Sequence, residues 1–228
     1  MRNIPDIVKH LIIINVLIFI GSQFVGELAY DVLALHYPKN DLFGIWQVLT
    51  HMFMHGSISH ILFNMFGLWM FGSPLAQMWG KNKFLFFYLS TGVGAAALQL
   101  LVYHLQIQGW VDELVLQGYP LDEIYNSLQQ QTQSLFHVRM VGASGALYGV
   151  LVAFAFMFPN AELMLIFLPI PIKAKYFVPL ILLMDLFFGF SSYSMGPIAH
   201  FAHVGGAITG FLMMWYWKRN QFNQNRWN

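Results

Sequence analysis

Three apolar runs in this sequence each carry polar side chains that could do chemistry together. One opens with Gly142-Ala143-Ser144-Gly145 and holds Tyr148 one turn later. A second opens with His200 and His203, followed by Gly206 and Gly210. A third holds His60 and Asn64, which at i, i+4 spacing share one helix face. A serine hydroxyl is a weak nucleophile until a base takes its proton. A neutral imidazole can take that proton and return it to a leaving amine. The oxyanion formed on the way needs preorganised donors. The Asn64 amide, the His60 ring N–H and the free backbone N–H groups where the Ser144 helix starts are donors of that kind. These residue types point to acyl transfer, with Ser144 as nucleophile and His203 as general base.

Such groups must be positioned by helices in a bilayer. Of 228 residues, 57% are hydrophobic and 9% charged, against about 25% charged in a typical soluble domain. Twenty-one charged side chains, 11 basic and 10 acidic, cannot cover a soluble globule of this size. The absence of cysteine excludes disulfides and thiolate metal sites. A net charge of +1 gives no argument for nucleic acid. A spanning helix needs about 20 mostly apolar residues. Six segments are expected to cross: residues 8–26, 59–79, 84–105, 141–158, 176–190 and 198–217. The first lacks a small-x-small cleavage site and is read as a retained span, not a signal peptide. The run 163–169, interrupted by Pro169 and Pro171, is read as loop. No internal repeat, low-complexity tract or soluble domain is visible, so residues 1–228 read as one all-α membrane domain.

Lys and Arg set the orientation. Nine of them (Arg2, Lys9, Lys81, Lys83, Lys173, Lys175, Lys218, Arg219 and Arg226) fall on one side of the six spans, and two (Lys39 and Arg139) on the other. Both termini are therefore expected in the cytoplasm, and a bacterial inner membrane is the expected location. Spans two, four and six then enter from the outer side, and their polar groups share a depth in the outer half of the bilayer. Polar side chains in spans are costly and mark functional sites. Gly145-x-x-x-Gly149 and Gly206-x-x-x-Gly210 are small-residue faces that let helix backbones approach. Packing spans four and six through them would bring Ser144 to His203. Two outer segments are not simple loops. Residues 30–58 include Leu42, Phe43, Ile45, Trp46, Val48 and Leu49, and are expected in or on the outer leaflet. Within residues 106–140, Pro120 is expected to open a short amphipathic helix at the membrane surface, with Leu121, Ile124, Tyr125 and Leu128 on one face.

Taken in order, His55-Gly-Ser-Ile-Ser-His60-Ile-Leu-Phe-Asn64, Gly142-Ala-Ser144-Gly145 with Tyr148, and Ala202-His203-Val-Gly-Gly206-x-x-x-Gly210 resemble the rhomboid intramembrane serine proteases along essentially the whole chain. The resemblance implies a six-helix bundle and a Ser144–His203 dyad without a carboxylate. It implies that Tyr148 packs on His203, and that His60, Asn64 and the Ser144 amide bind the oxyanion, with Gly142, Gly145, Gly206 and Gly210 supporting the dyad. It implies that residues 30–58 form a hairpin embedded in the outer leaflet, and that the substrates are transmembrane helices cut near their outer end. Because Ser144 and His203 complete a mechanism unaided, no metal or other cofactor is expected. Many family members carry a glutamate late in the second span, where this chain has Ala76. The 106–140 link is also longer than in the smallest members.

Other readings compete. His51, His55, His60, His200 and His203 could form a histidine-cluster metal enzyme, but no His-Glu-x-x-His or His-His motif is present. A transporter would place its polar residues at the midplane, not in the outer half. A silent relative would bind membrane proteins without cutting them, yet this chain keeps both dyad residues. His51 and His200 are expected at the interface or behind the site. Asp185 is the one carboxylate well inside a span. It could orient a histidine or bond a neighbouring helix, and the resemblance to a dyad family favours the second. Oligomeric state is not legible.

Overall fold

The computed structural model describes residues 4–131, 135–165, 168–191 and 199–220. Helix α1 (Asp6–Val25) is followed by a short α2 (Glu27–Leu33). An irregular segment leads to α3 (Gln47–Thr50) and a 3-10 turn at His51–Phe53. Next, α4 (Ile58–Gly67), a π-helical turn (Leu68–Gly72) and α5 (Ser73–Trp79) run on as one helical rod. Gly80, at φ 76, ends the rod and begins α6 (Lys81–Leu116). That left-handed conformation is available to glycine at little cost. Then come α7 (Leu121–Gln130), α8 (Ser144–Met157), strands β1 (Glu162–Leu165) and β2 (Leu168–Lys173), α9 (Ala174–Phe190) and α10 (His200–Arg219).

Several expectations are corrected. The chain is mostly but not wholly helical, because the run read as loop forms an antiparallel pair, Glu162 opposite Lys173 and Leu163 opposite Ile172. In a two-stranded ribbon every strand is an edge, so the prolines of β2 need not donate to a partner. The helix that carries the third apolar segment does not stop at residue 105. α6 continues to Leu116, and at 1.5 Å per residue its 36 residues extend about 54 Å. The extension is held because Ile107 and Val111 are buried with Tyr37, Ile124, Leu128 and Phe136. The helix opened by Pro120 is present, and Ile124 and Leu128 are buried within that cluster. Much of its apolar face is thus covered by protein, while Leu121 stays exposed. The fourth segment begins as helix at Ser144 and not at residue 141, and the sixth at His200; residue 198 lies outside the described residues. Among the described residues, two helices, Asp6–Val25 and Lys81–Leu116, are long and apolar enough to cross a membrane by themselves.

The core lies between α1, the α4–α5 rod, α6 and α8, around Phe84, Phe87, Tyr88, Leu68 and Val150. α10 packs most extensively against α6 and α8. Small residues make this possible. A Cβ on Gly206 would run into the Gly145 carbonyl, and one on Gly210 would stand 2.8 Å from the Gly149 Cα. The glycines of α8 face elsewhere. A Cβ on Gly145 would meet Ala95, and one on Gly149 would meet Thr91, both on α6. The two glycine faces therefore do not simply face each other. α8 is tight against α6 through its own glycines and against α10 through those of α10.

Candidate active site

The packing of α8 on α10 brings Ser144 and His203 into contact. His203 Nε2 lies 2.9 Å from Ser144 Oγ. Tyr148, one turn along α8 from Ser144, stacks on the His203 ring with centroids 4.2 Å apart and planes 8° from parallel. The stack fixes the ring plane, and the hydrogen bond fixes its rotation. His203 is buried and Ser144 half-buried.

Ser144 is the first residue of α8, where backbone N–H groups have no intrahelical partners. Gly142, just before it, sits at φ 125, where a side chain is strained. Its N–H donates to the His51 carbonyl at 2.9 Å. Two bonds between Leu35 and Met140, at 3.0 and 2.9 Å, tie the same loop to the segment after α2. The outer segment is therefore part of the scaffold that sets the Ser144 turn. It is stitched internally by Gln47, whose amide nitrogen donates to the Asp31 and Leu42 carbonyls. Thr50 Oγ1 donates to the Leu33 carbonyl at 2.8 Å. Ala76, where many relatives have glutamate, is buried in the core, and these bonds hold the segment without it. Leu42, Ile45, Trp46 and Leu49 project outward, whereas Phe43 and Val48 pack inward.

His60 on α4 faces the same region, and Asn64 stands one turn further along that helix. A Cβ placed on Gly142 would stand 2.7 Å from His60 Nε2 and 3.6 Å from Ser144 Oγ. The gap left by that missing atom adjoins both groups. The Gly56 N–H reaches His60 Nδ1 at 3.4 Å, which leaves the other ring nitrogen to carry a proton. Asn64 is 6% exposed, and its Nδ2 has no partner among the described residues. A buried donor left unsatisfied costs about 1–3 kcal/mol, so Nδ2 is free to donate to an acceptor that a substrate brings. His55 is wholly buried, edge-on to the His60 ring at 4.9 Å.

Sequence reasoning missed two supports. Gln99 on α6 accepts the Ala202 N–H at 3.0 Å, satisfying one free donor at the start of α10. Thr91, also on α6, donates its hydroxyl to the Phe87 and Tyr88 carbonyls at 3.0 Å and lies 3.3 Å from the Ala146 carbonyl. A buried glutamine and threonine within an apolar run are signals of the same kind that singled out Asn64. His200, expected behind the site, lies 2.7 Å from Asp185 Oδ1 through its Nδ1. Asp185 also reaches His203, Oδ1 to Nδ1 at 3.0 Å. The five histidines do not converge on one point. Among the described residues, the one group of three or more ligand-type side chains close enough to hold an ion is Asp185, His200 and His203. Its contacts have hydrogen-bond lengths.

A mostly helical bundle carrying a hydrogen-bonded serine–histidine pair is the class that fold and site define. The chain matches the Rhomboid domain model over residues 43–220 and belongs to the rhomboid family. It is therefore an integral membrane protein. It is 28% identical over 169 residues to "Rhomboid protein 1, mitochondrial" of Saccharomyces cerevisiae, covering 74% of this chain and 41% of that protein. To "Rhomboid protease GluP" of Bacillus subtilis it is 28% identical over 167 residues, covering 73% and 25%. To "Rhomboid protease GlpG" of Salmonella newport it is 35% identical over 69 residues, covering 30% and 25%. The chain thus aligns with less than half the length of each of these relatives.

Proposed function

We propose that this chain is an intramembrane serine endopeptidase that cuts transmembrane helices near the outer face of the bilayer. The observation that carries the reading is the 2.9 Å contact between His203 Nε2 and Ser144 Oγ. Ser144 attacks the scissile carbonyl as His203 takes its proton at Nε2. The oxyanion enters the gap beside Gly142, which His60 Nε2 borders, with the Asn64 amide and the Ser144 backbone N–H as its further donors. His203 then protonates the leaving amine, and the C–N bond breaks. Water, deprotonated by His203, releases the acyl group and restores Ser144. Nothing in this cycle calls on a metal or other cofactor.

We read residues 1–228 as one domain that crosses the membrane six times, through α1, the α4–α5 rod, α6, α8, α9 and α10. Lys and Arg placement supports cytoplasmic termini; residues 1–3 and 221–228, with Arg2 and Arg226, lie outside the described residues. Two of the three relatives above are bacterial, which supports a bacterial inner membrane, and the third is mitochondrial. The outward Leu42, Ile45, Trp46 and Leu49 support an outer segment embedded in the outer leaflet. Wild type reconstituted in liposomes with a single-span test substrate is expected to cut it, and Ser144→Ala is expected not to. Equal cutting by both would remove Ser144 from the reaction.

A further inference from the structure

We propose that Asp185 is a positioning residue for His203, so that the site works as a Ser144–His203–Asp185 line and not as a dyad alone. The inference rests on the proposed protease reading. Asp185 comes from α9, is 6% exposed, and puts one oxygen, Oδ1, 3.0 Å from His203 Nδ1 and 2.7 Å from His200 Nδ1. An ionised carboxylate only accepts hydrogen bonds. With Asp185 ionised, both rings carry their proton on Nδ1. For His203 this leaves Nε2 with a free lone pair, and Nε2 is the atom 2.9 Å from Ser144 Oγ. That tautomer can take the serine proton. The other neutral tautomer would donate to the hydroxyl and could not. When the proton arrives, the ring becomes an imidazolium with a carboxylate at its back, in surroundings poor in water. That charge pairing stabilises the state on the path to the oxyanion.

The stack with Tyr148 cannot supply this. It sets the plane of the ring but does not distinguish its two nitrogens. Other groups around the pair are His200 on the same helix, the Tyr148 hydroxyl, which faces the Asp185 carboxylate from α8, and His60 across the site on α4. Asp185, unlike these, is in contact with His203 Nδ1 and able to accept from it. His200 has a separate part. It occupies the same carboxylate oxygen and pins the Asp185 side chain to α10.

The rival is a purely architectural Asp185 that ties α9 to α10. Asp185→Asn separates the two. In the full-length detergent-solubilised protein, the rate at which a fluorophosphonate labels Ser144 is expected to fall about a hundredfold. The equivalent change in a soluble serine protease costs about 10⁴; the loss is smaller here because Tyr148 still holds the ring plane. The melting temperature is expected to stay near wild type. Nitrogen NMR of 15N-histidine protein, with His203 assigned by its absence in His203→Ala, is expected to show Nδ1–H in wild type and a shift toward Nε2–H in Asp185→Asn. Normal labelling per folded molecule would overturn the proposal. If Asp185→Asn does not fold, the wild-type spectrum decides alone, and a neutral His203 protonated on Nε2 would overturn it. Wild type that no fluorophosphonate labels at Ser144 would instead defeat the underlying protease reading.

Discussion

Gly142 and His60 border one gap, and a single methyl group would fill it. A Cβ on Gly142 would approach His60 Nε2 to 2.7 Å while standing 3.6 Å from Ser144 Oγ. Gly142→Ala is therefore expected to abolish turnover by occupying the place of the oxyanion. Its φ of 125 also forces a strained backbone on any side chain, worth about 1–3 kcal/mol. Kinetics and a melting curve on the same variant check this. A stable Gly142→Ala with near-normal turnover would show that the gap is not used.

Asn64 is a donor without an acceptor, so its loss should cost activity and little stability. Removing one oxyanion donor typically lowers kcat by about 10²–10³. About tenfold is expected for Asn64→Ala, since His60 and a backbone amide remain. No hydrogen bond from Nδ2 is lost on truncation, so the melting temperature should barely fall. Normal kcat with a large drop in melting temperature would make Asn64 a structural residue.

These two residues also show what a sequence can and cannot reveal. Ser144, His203, His60 and Asn64 stand out as candidates because polar side chains are rare in apolar runs, and the structure brings Ser144 to His203. The contact of Asp185 with His203 was not legible. It depends on the rotation of α9 about its own axis, which an 18-residue separation does not fix. The close packing of α10 on α8 through Gly206 and Gly210 was legible, but the second role of Gly145, its approach to α6, was not. A Gly-x-x-x-Gly face says that something packs closely, and here Gly145 is approached by Ala95 on α6 as well as by Gly206 on α10. α6 ran past its expected end because falling hydropathy marks the edge of a span, not the end of a helix. The β1–β2 ribbon was hidden by its prolines, which read as breakers until an edge strand gives them a place.

Two glycines in helices should respond in opposite ways. Gly206 lies against the Gly145 backbone, so Gly206→Ala must push α10 away from α8 and separate Ser144 from His203. Turnover is expected to fall at least a hundredfold and the melting temperature with it. A Cβ on Gly109 of α6 would meet nothing within 4 Å. Gly109→Ala should stabilise by about 0.5–1 kcal/mol through helix propensity and leave turnover unchanged. Thermal melts of both variants check the pair; a Gly206→Ala as stable and active as wild type would contradict the close contact.

His51, in the outer segment and 2% exposed, has its pKa pushed down to about 4 by burial. A histidine depressed from about 6.5 contributes stability that is complete above 6.5 and is lost as pH falls through 4. Its carbonyl holds Gly142, so the loss should loosen the Ser144 turn. Between pH 6.5 and 4 the melting temperature of wild type is expected to fall more steeply than that of His51→Gln. Parallel curves would mean that His51 does not protonate on unfolding.

Mass-spectrometric mapping of a fluorophosphonate adduct on the purified protein asks most directly whether Ser144 is the nucleophile. The adduct is expected on Ser144 in wild type and to be absent from His203→Ala that retains its helical fold. No adduct in folded wild type, an adduct on another serine, or undiminished labelling of Ser144 without His203 would contradict the account.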